Sequence, residues 1–332
     1  MNQRNRVLAS LALILWALFL LVEQPWKGDA HQRTAAHVGS LFPKLQYQTE
    51  QIRRVVVSDG VDTVTLQLSE GGRWHVVEKQ HPMDMARLMM VVQNLSEINT
   101  IDVVSVNPEK HSVYGVAEGQ GTRVQVYGQD DVVLADWIAG SLRHQEIGAG
   151  QKPVMEFYMR DGRSDVVYLS GEAIHPPANP TIWCDTHFLA QVEDRAITAV
   201  QRIDFVTNDS WRMERVPQVA ADAWNLTNPE ARPAMSYAGE SMAFSLTELR
   251  AADVIGTQNS DGADDARYGF PQDRFLVHIG ELPFEFELGN PASAAGQRYF
   301  RVSGIPYIYT ISDYDVSQLR LPVSRLLDDS ED

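Results

Sequence analysis

Residues 111–116 read HSVYGV, and residues 265–270 read DARYGF. A tyrosine followed by glycine is open to three readings: a catalytic turn, a ligand clamp or a structural marker. The surroundings favour the last. Trp74 lies 40 positions before Tyr114 and Trp224 lies 44 before Tyr268, while Gly140 follows Tyr114 by 26 and Gly289 follows Tyr268 by 21. The same landmarks in the same order indicate two degenerate copies of one module, joined around Asp194–Thr198. Each glycine then supplies the tight turn, with φ > 0, that leads the chain into a central strand. Each tyrosine is expected to cover a sheet edge with its ring and keep its hydroxyl wet.

Working outward, DTVTLQLSE puts Val64, Leu66 and Leu68 on one face and Thr63, Thr65 and Gln67 on the other, the period of a half-buried strand. Gly71 and Gly72 supply a turn into a second strand that carries Trp74. Pro82 and Asp84 open a helix whose apolar stripe is Met85, Leu88, Met89, Val92, Leu95 and Ile98, expected to lie on the sheet. A methionine face at that spacing can also serve as an adaptable partner surface, but core is the preferred reading. Strands follow at Thr122–Tyr127, Val132–Ile138, Val154–Arg160 and Val166–Leu169. A second pass begins near Val200, with a short helix at Phe244–Ala252 and strands in RFLVHIG, FEFELG, QRYFRV and PYIYTIS. Hairpin, helix and then several strands predict an α+β fold, two tandem modules of mostly antiparallel sheet with a packed helix. The boundaries are 1–27 for a cytoplasmic tip and anchor, 28–44 for a linker, 45–194 for the first module and 195–332 for the second, with an acidic tail.

The chain has 332 residues, 44% hydrophobic and 22% charged, enough for two cores. Its net charge of −16 opposes binding to phosphate backbones, so nucleic acid is not expected as a partner. The DDSED run at Asp328–Asp332 reads as a solvated end. Arg4 and Arg6 precede an uncharged run from Val7 to Val22, about 24 Å long as a helix, which Trp26 and Lys27 extend toward the ~30 Å of a hydrocarbon core. This predicts a single-pass anchor in the inner membrane, N-terminus cytoplasmic and bulk periplasmic. A cleaved signal peptide is the other reading, with GDA at 28–30 the nearest cleavage candidate.

The chemistry-bearing patterns are weak. Cys184 is the one cysteine, so no internal disulfide forms, and Cys184, Asp185 and His187 are too crowded for a good zinc site. Ser141, His144 and Glu146 are close in sequence, but triads assemble from distant elements, and no G-x-S-x-G run is present. H-E-x-x-H and the P-loop pattern are absent too. Asn259, Asp261, Asp264 and Asp265 offer oxygens of the kind calcium uses, but the glycine is misplaced for an EF-hand. His278 is expected at the surface by alternation with Phe275, Val277 and Ile279. Tyr299, Phe300, Tyr307, Tyr309 and Tyr314 crowd the C-terminal strands. They are core in the preferred reading, with Tyr307 and Tyr309 packed on one sheet face. In the alternative they form a contact surface for glycan or peptide. No catalytic, cofactor-binding or metal residue is assigned.

SLFPKL, IRRVVVSDGVDTVTLQLSEGGRWHVV, the P-x-D helix start at Pro82–Asp84, VYGV at 113–116, a strand ending in Gly140 and FYMRDGRSDVVYLS together resemble a bacterial domain of unknown function. That family is typically membrane-anchored and found beside gliding-motility-type auxiliary ABC transporter components. The resemblance covers about Leu41 to Val192 and, more weakly, the second module. It implies a non-catalytic extracytoplasmic accessory protein working with a permease and an ATPase encoded nearby, and it supplies no catalytic residues. An envelope hydrolase with a site between the modules is the alternative from another class.

Overall fold

The computed structural model describes residues 41–327 apart from 43–44, 99, 144–154, 172–174, 217–222 and 260–261. The expected anchor Val7–Val22, the acidic tail, His144, Glu146, Val154 and Asp261 lie outside the described residues. Among the described residues no helix is long and apolar enough to cross a membrane.

The described residues form two nine-stranded antiparallel sheets of identical order. The first runs β4-β3-β2-β1-β6-β7-β8-β9-β5. Its strands are β1 (Arg54–Ser58), β2 (Thr63–Leu68), β3 (Trp74–Val76), β4 (His81–Pro82), β5 (Thr100–Ser105), β6 (Thr122–Tyr127), β7 (Val133–Leu142), β8 (Phe157–Asp161) and β9 (Val167–Ser170). The second runs β13-β12-β11-β10-β15-β16-β17-β18-β14. It comprises β10 (Ile197–Asp204), β11 (Trp211–Arg215), β12 (Trp224–Asn228), β13 (Arg232–Pro233), β14 (Asp253–Thr257), β15 (Asp273–Ile279), β16 (Leu282–Pro291), β17 (Gln297–Val302) and β18 (Tyr307–Ser312). Trp74 and Trp224 each open the third strand of a sheet, as their spacing suggests. The family of contacts divides the chain into two compact units, Met1–Thr63 with Leu88–Ala178 and Val64–Arg87 with Asn179–Asp332.

The architecture is mostly β, which corrects the α+β expectation. Each sheet has one helix of three turns, α1 (Met85–Glu97) and α2 (Ser236–Thr247), and α3 (Asp313–Leu319) adds two more turns. The excess of strand comes from β5 and β14, short edge strands without clean alternation. Gly140 and Gly289 also lie inside their strands, β7 and β16, at register shifts, and do not end them.

The β2–β3 hairpin pairs Leu68 with Trp74, and Val64 and Leu66 are fully buried as alternation requires. Asp84 caps α1, its carboxylate accepting the amides of Ala86 and Arg87. The buried stripe of α1 is Leu88, Val91, Val92 and the following Ile98, whereas Met85 and Met89 are exposed, contrary to the core reading. The second helix starts at Ser236, eight residues earlier than Phe244. Its first turns, SYAGESM, carry Gly239, a poor helix former that is there for packing: a Cβ would stand 2.1 Å from the Trp224 ring. Beyond Thr247 the chain is taken into pairing. Arg250 bridges His187, and the amides of Ala251 and Ala252 donate to Thr186 and Thr310 carbonyls, overriding the helical composition of SLTELRAA.

In the first sheet the core includes Val55, Val57, Val124, Val126, Trp137 and Met159. In the second it is aromatic: Phe275 and Phe286 are opposite each other across β15 and β16 and stack at 4.8 Å, with Phe300 next to Phe286.

Candidate functional site

The repeated tyrosine–glycine turn does the same structural work twice. Gly115 and Gly269 have φ of 68° and 70°, the left-handed region that favours glycine. In each repeat the carbonyl of the preceding tyrosine rests on the strand glycine: a Cβ on Gly140 would stand 2.4 Å from the Tyr114 oxygen, and one on Gly289 would stand 2.4 Å from the Tyr268 oxygen. The Ser141 amide donates to that Tyr114 carbonyl at 3.0 Å. Tyr114 packs on Tyr158 of β8 and Tyr268 on Tyr299 of β17, with centroids 4.8 and 4.6 Å apart. Both β8 and β17 are interior strands, so the rings lie on the sheet face and not at an edge. Tyr268 is also buried.

Next to the first turn is a cleft of about 230 Å³, lined by Asp59, Gln120, Thr122, Ser141 and His175 with the backbone of Gly115, Gly121 and Gly140. Asp59 accepts the amides of Val61 and Asp62, and these bonds hold its carboxyl below the usual range. Sequence reasoning singled out Ser141 but missed Asp59 and His175. The ring of His175 packs on Phe157, and desolvation by its neighbours lowers its pKa although the residue is exposed.

Within the second unit, a cleft of about 210 Å³ is lined by residues including Asp84, Arg87, Cys184, His187 and Arg250. Cys184 is buried, which pushes its thiol up to about 12, and it donates to the Pro180 carbonyl. His187 donates from Nε2 to the Thr247 carbonyl at 2.7 Å. Among the described residues no group of three or more His, Cys, Asp or Glu is arranged to hold a metal ion. Asp264 is buried and accepts from the Asn259 amide and side chain, while Asp265 pairs with Arg301 at 2.6 Å. A third cavity, about 250 Å³, includes Glu285, Glu287 and Arg301; Glu287 is neutralised there by Arg274 and Arg301.

The C-terminal aromatics separate into core and surface. Phe300 and Tyr309 are buried, and the Tyr309 hydroxyl donates to Nε2 of buried His81, whose other ring nitrogen donates to the Pro82 carbonyl. Burial lowers the pKa of His81 and raises that of Tyr309. Tyr309 is therefore not available beside Tyr307 as a stacking platform. His278 is half-buried, while Phe275 and Val277 on the opposite face of the strand are fully buried, as alternation predicts.

The outward face of α1 follows the less-favoured reading of its methionines, as an exposed surface, and the outward face of α2 had no signal in the sequence. Among the residues whose side chains are described, the exposed positions on α1 are Met85, Ala86, Met89, Met90 and Gln93, and on α2 they are Tyr237, Ser241 and Phe244. Neither set contains a charged residue, although 22% of the chain is charged. Met89 is 56% exposed, Tyr237 68% and Phe244 61%. Glu240 turns back to Arg215 and to the Trp224 indole, and the exposed Glu248, just past the end of α2, pairs with Arg250.

The model of a family described as a domain of unknown function, DUF4340, matches the chain twice, over residues 74–221 and 224–330. The chain belongs to the DUF4340 family. Its two matches each carry one tyrosine–glycine turn and the strand glycine beneath it, so the duplication read from landmarks is a duplication of the DUF4340 domain. No curated protein and no solved structure matches this chain.

Proposed function

We propose that this DUF4340 protein is a non-catalytic, membrane-anchored extracytoplasmic accessory protein of an ABC-type transporter or envelope complex, acting through protein–protein contact. The observation that carries the reading is the pair of uncharged, apolar helix faces. An exposed helix face normally carries charge, and bulky apolar groups left in water mark contact surfaces. Methionine adapts to varied partners, and tyrosine and phenylalanine are enriched where proteins meet. The Val7–Val22 run supports anchoring, which would raise the effective concentration of these faces for a partner at the same membrane. The link to gliding-motility-type transporters rests on the family resemblance.

Purification of the full-length protein from its native membrane in mild detergent tests this. Recovery of a permease and an ATPase is expected, and Met89→Glu or Phe244→Glu should reduce that recovery at least tenfold while the melting temperature stays within a few degrees. A native complex that contains only this chain refutes the proposal.

A further inference from the structure

The two repeats share their sheet registers but differ at the residues those registers make equivalent. Val57 pairs with Val124 as Arg202 pairs with Phe275, which makes Asp59 the counterpart of Asp204. Thr122 pairs with Ala139 and Asp273 with Leu288, each partner standing just before the strand glycine. Phe157 pairs with Leu142 and Arg298 with Pro291, each partner two residues past that glycine.

In the second repeat these positions form a filled ionic cluster. The Oδ1 of Asp204 accepts the amides of Val206 and Thr207, and its Oδ2 accepts from Arg202 at 2.7 Å. Arg202 also donates to Asp273 at 2.8 Å, Arg320 lies 2.9 Å from Asp273, and Arg298 donates to the Gly289 carbonyl at 2.8 Å. In the first repeat Asp59 repeats the turn, with Oδ1 accepting the amides of Val61 and Asp62. The arginines at the matching positions are replaced by Val57 and Phe157, and among the described residues no group bonds to Oδ2 of Asp59. The Asp59 turn persists, Thr122 stands in the place of Asp273, the two register-position guanidinium groups are absent, and a cleft of about 230 Å³ is lined by Asp59, Thr122 and Gly140, the counterparts of Asp204, Asp273 and Gly289.

We propose that this cleft binds a guanidinium group, taking the place that arginine side chains fill in the second repeat. The planar fork would meet Oδ2 of Asp59, the hydroxyls of Thr122 and Ser141, and the Gly140 carbonyl, acceptors that suit its five fixed donors better than a point-charge ammonium. The site does not depend on the accessory role: a partner protein's arginine or a small free guanidine offers the same chemistry.

Calorimetric titration of the full-length protein in detergent with two probes, an acetylated and amidated Gly-Arg-Gly peptide and methylguanidinium, tests the site. Saturable binding of the peptide is expected, at least threefold tighter than its Gly-Lys-Gly analogue. Asp59→Asn, which keeps the turn-forming oxygen, should weaken it at least tenfold. Thr122→Asp, which installs the counterpart of Asp273, should tighten it about tenfold. Peptide binding alone assigns the site to a protein arginine, and binding of both probes assigns it to guanidines in general. No binding of either probe to the wild type or to Thr122→Asp, or binding that neither substitution changes, overturns the proposal.

Discussion

Replacing Gly140 with alanine adds one methyl group at the point where the tyrosine–glycine turn is seated on β7. The new Cβ would stand 2.4 Å from the Tyr114 carbonyl oxygen and 2.6 Å from a Val116 methyl. The first obstacle is backbone and cannot rotate away, and the same carbonyl accepts the Ser141 amide, so any shift strains that bond. Overpacking of this kind costs about 1–3 kcal/mol, and a weakened hydrogen bond adds about 1. We expect a loss of about 2–4 kcal/mol. Gly280→Ala is the control: its φ of 59° imposes the left-handed penalty of about 1–2 kcal/mol, yet its Cβ meets nothing within 4 Å. The assay is urea titration followed by pulsed hydrogen exchange on peptides from β6–β8, which reports the first sheet separately from the second. If Gly140→Ala costs no more than Gly280→Ala, the turn is not seated on the strand glycine as argued.

Gly239→Ala should destabilise by about 2–3 kcal/mol in denaturant titration, although alanine is the better helix former by about 1, because its methyl group would enter the Trp224 ring. Asp204 carries a pH dependence. Burial raises its pKa, but bonds from the Thr207 hydroxyl and the Thr207 and Val206 amides, with the Arg202 charge, outweigh burial and leave it at about 2. Its folded value lies below the ~3.9 of an unfolded aspartate. It therefore contributes about 2–3 kcal/mol above pH 4 that is lost as the pH falls through 2. Acid titration of stability should show this loss, and Asp204→Asn should remove it. Cys184, buried with its thiol pushed up to about 12, should react with maleimide at pH 8 at least a hundredfold more slowly than after denaturation, as read by mass spectrometry.

Duplication was legible because its markers are residues with few substitutes. Tryptophan opens a strand in both copies, and glycine is required both where φ is positive and where a carbonyl touches the backbone. Alternation located β2, β6 and β15, whose central inward positions, Val64, Leu66, Val124, Val126, Phe275 and Val277, are fully buried. The helices were harder. In α1 the methionines and valines are equally apolar, and hydropathy alone does not say that Val91 turns inward while Met89 faces water. In α2 the glycine that close packing on Trp224 requires weakened the helical signal, and good helix formers after Thr247 were drawn into pairing by Thr186 and Thr310.

The cleft was illegible for a different reason. Asp59 in VSDGVD and Asp204 in IDFVTND share in sequence only the aspartate and the valine two residues on, and aspartates are common in turns. Their equivalence comes from register, through the strands that Val57 and Arg202 pair with. The same register shows Thr122 in the place of a buried acid and Phe157 in the place of an arginine. Arg202, Asp204 and Asp273 are each at most 4% exposed and satisfy one another, so removing one leaves the others as costly buried charges. A copy in which both register-position arginines are replaced therefore holds together only if the acids are lost or exposed with them. Thr122 represents the first outcome, and the exposed Asp59 the second. An aspartate kept after its arginines have gone is also held by its turn, and only exchange of its free oxygen's partners, as in the Asp59→Asn and Thr122→Asp pair, separates the structural debt from a binding role.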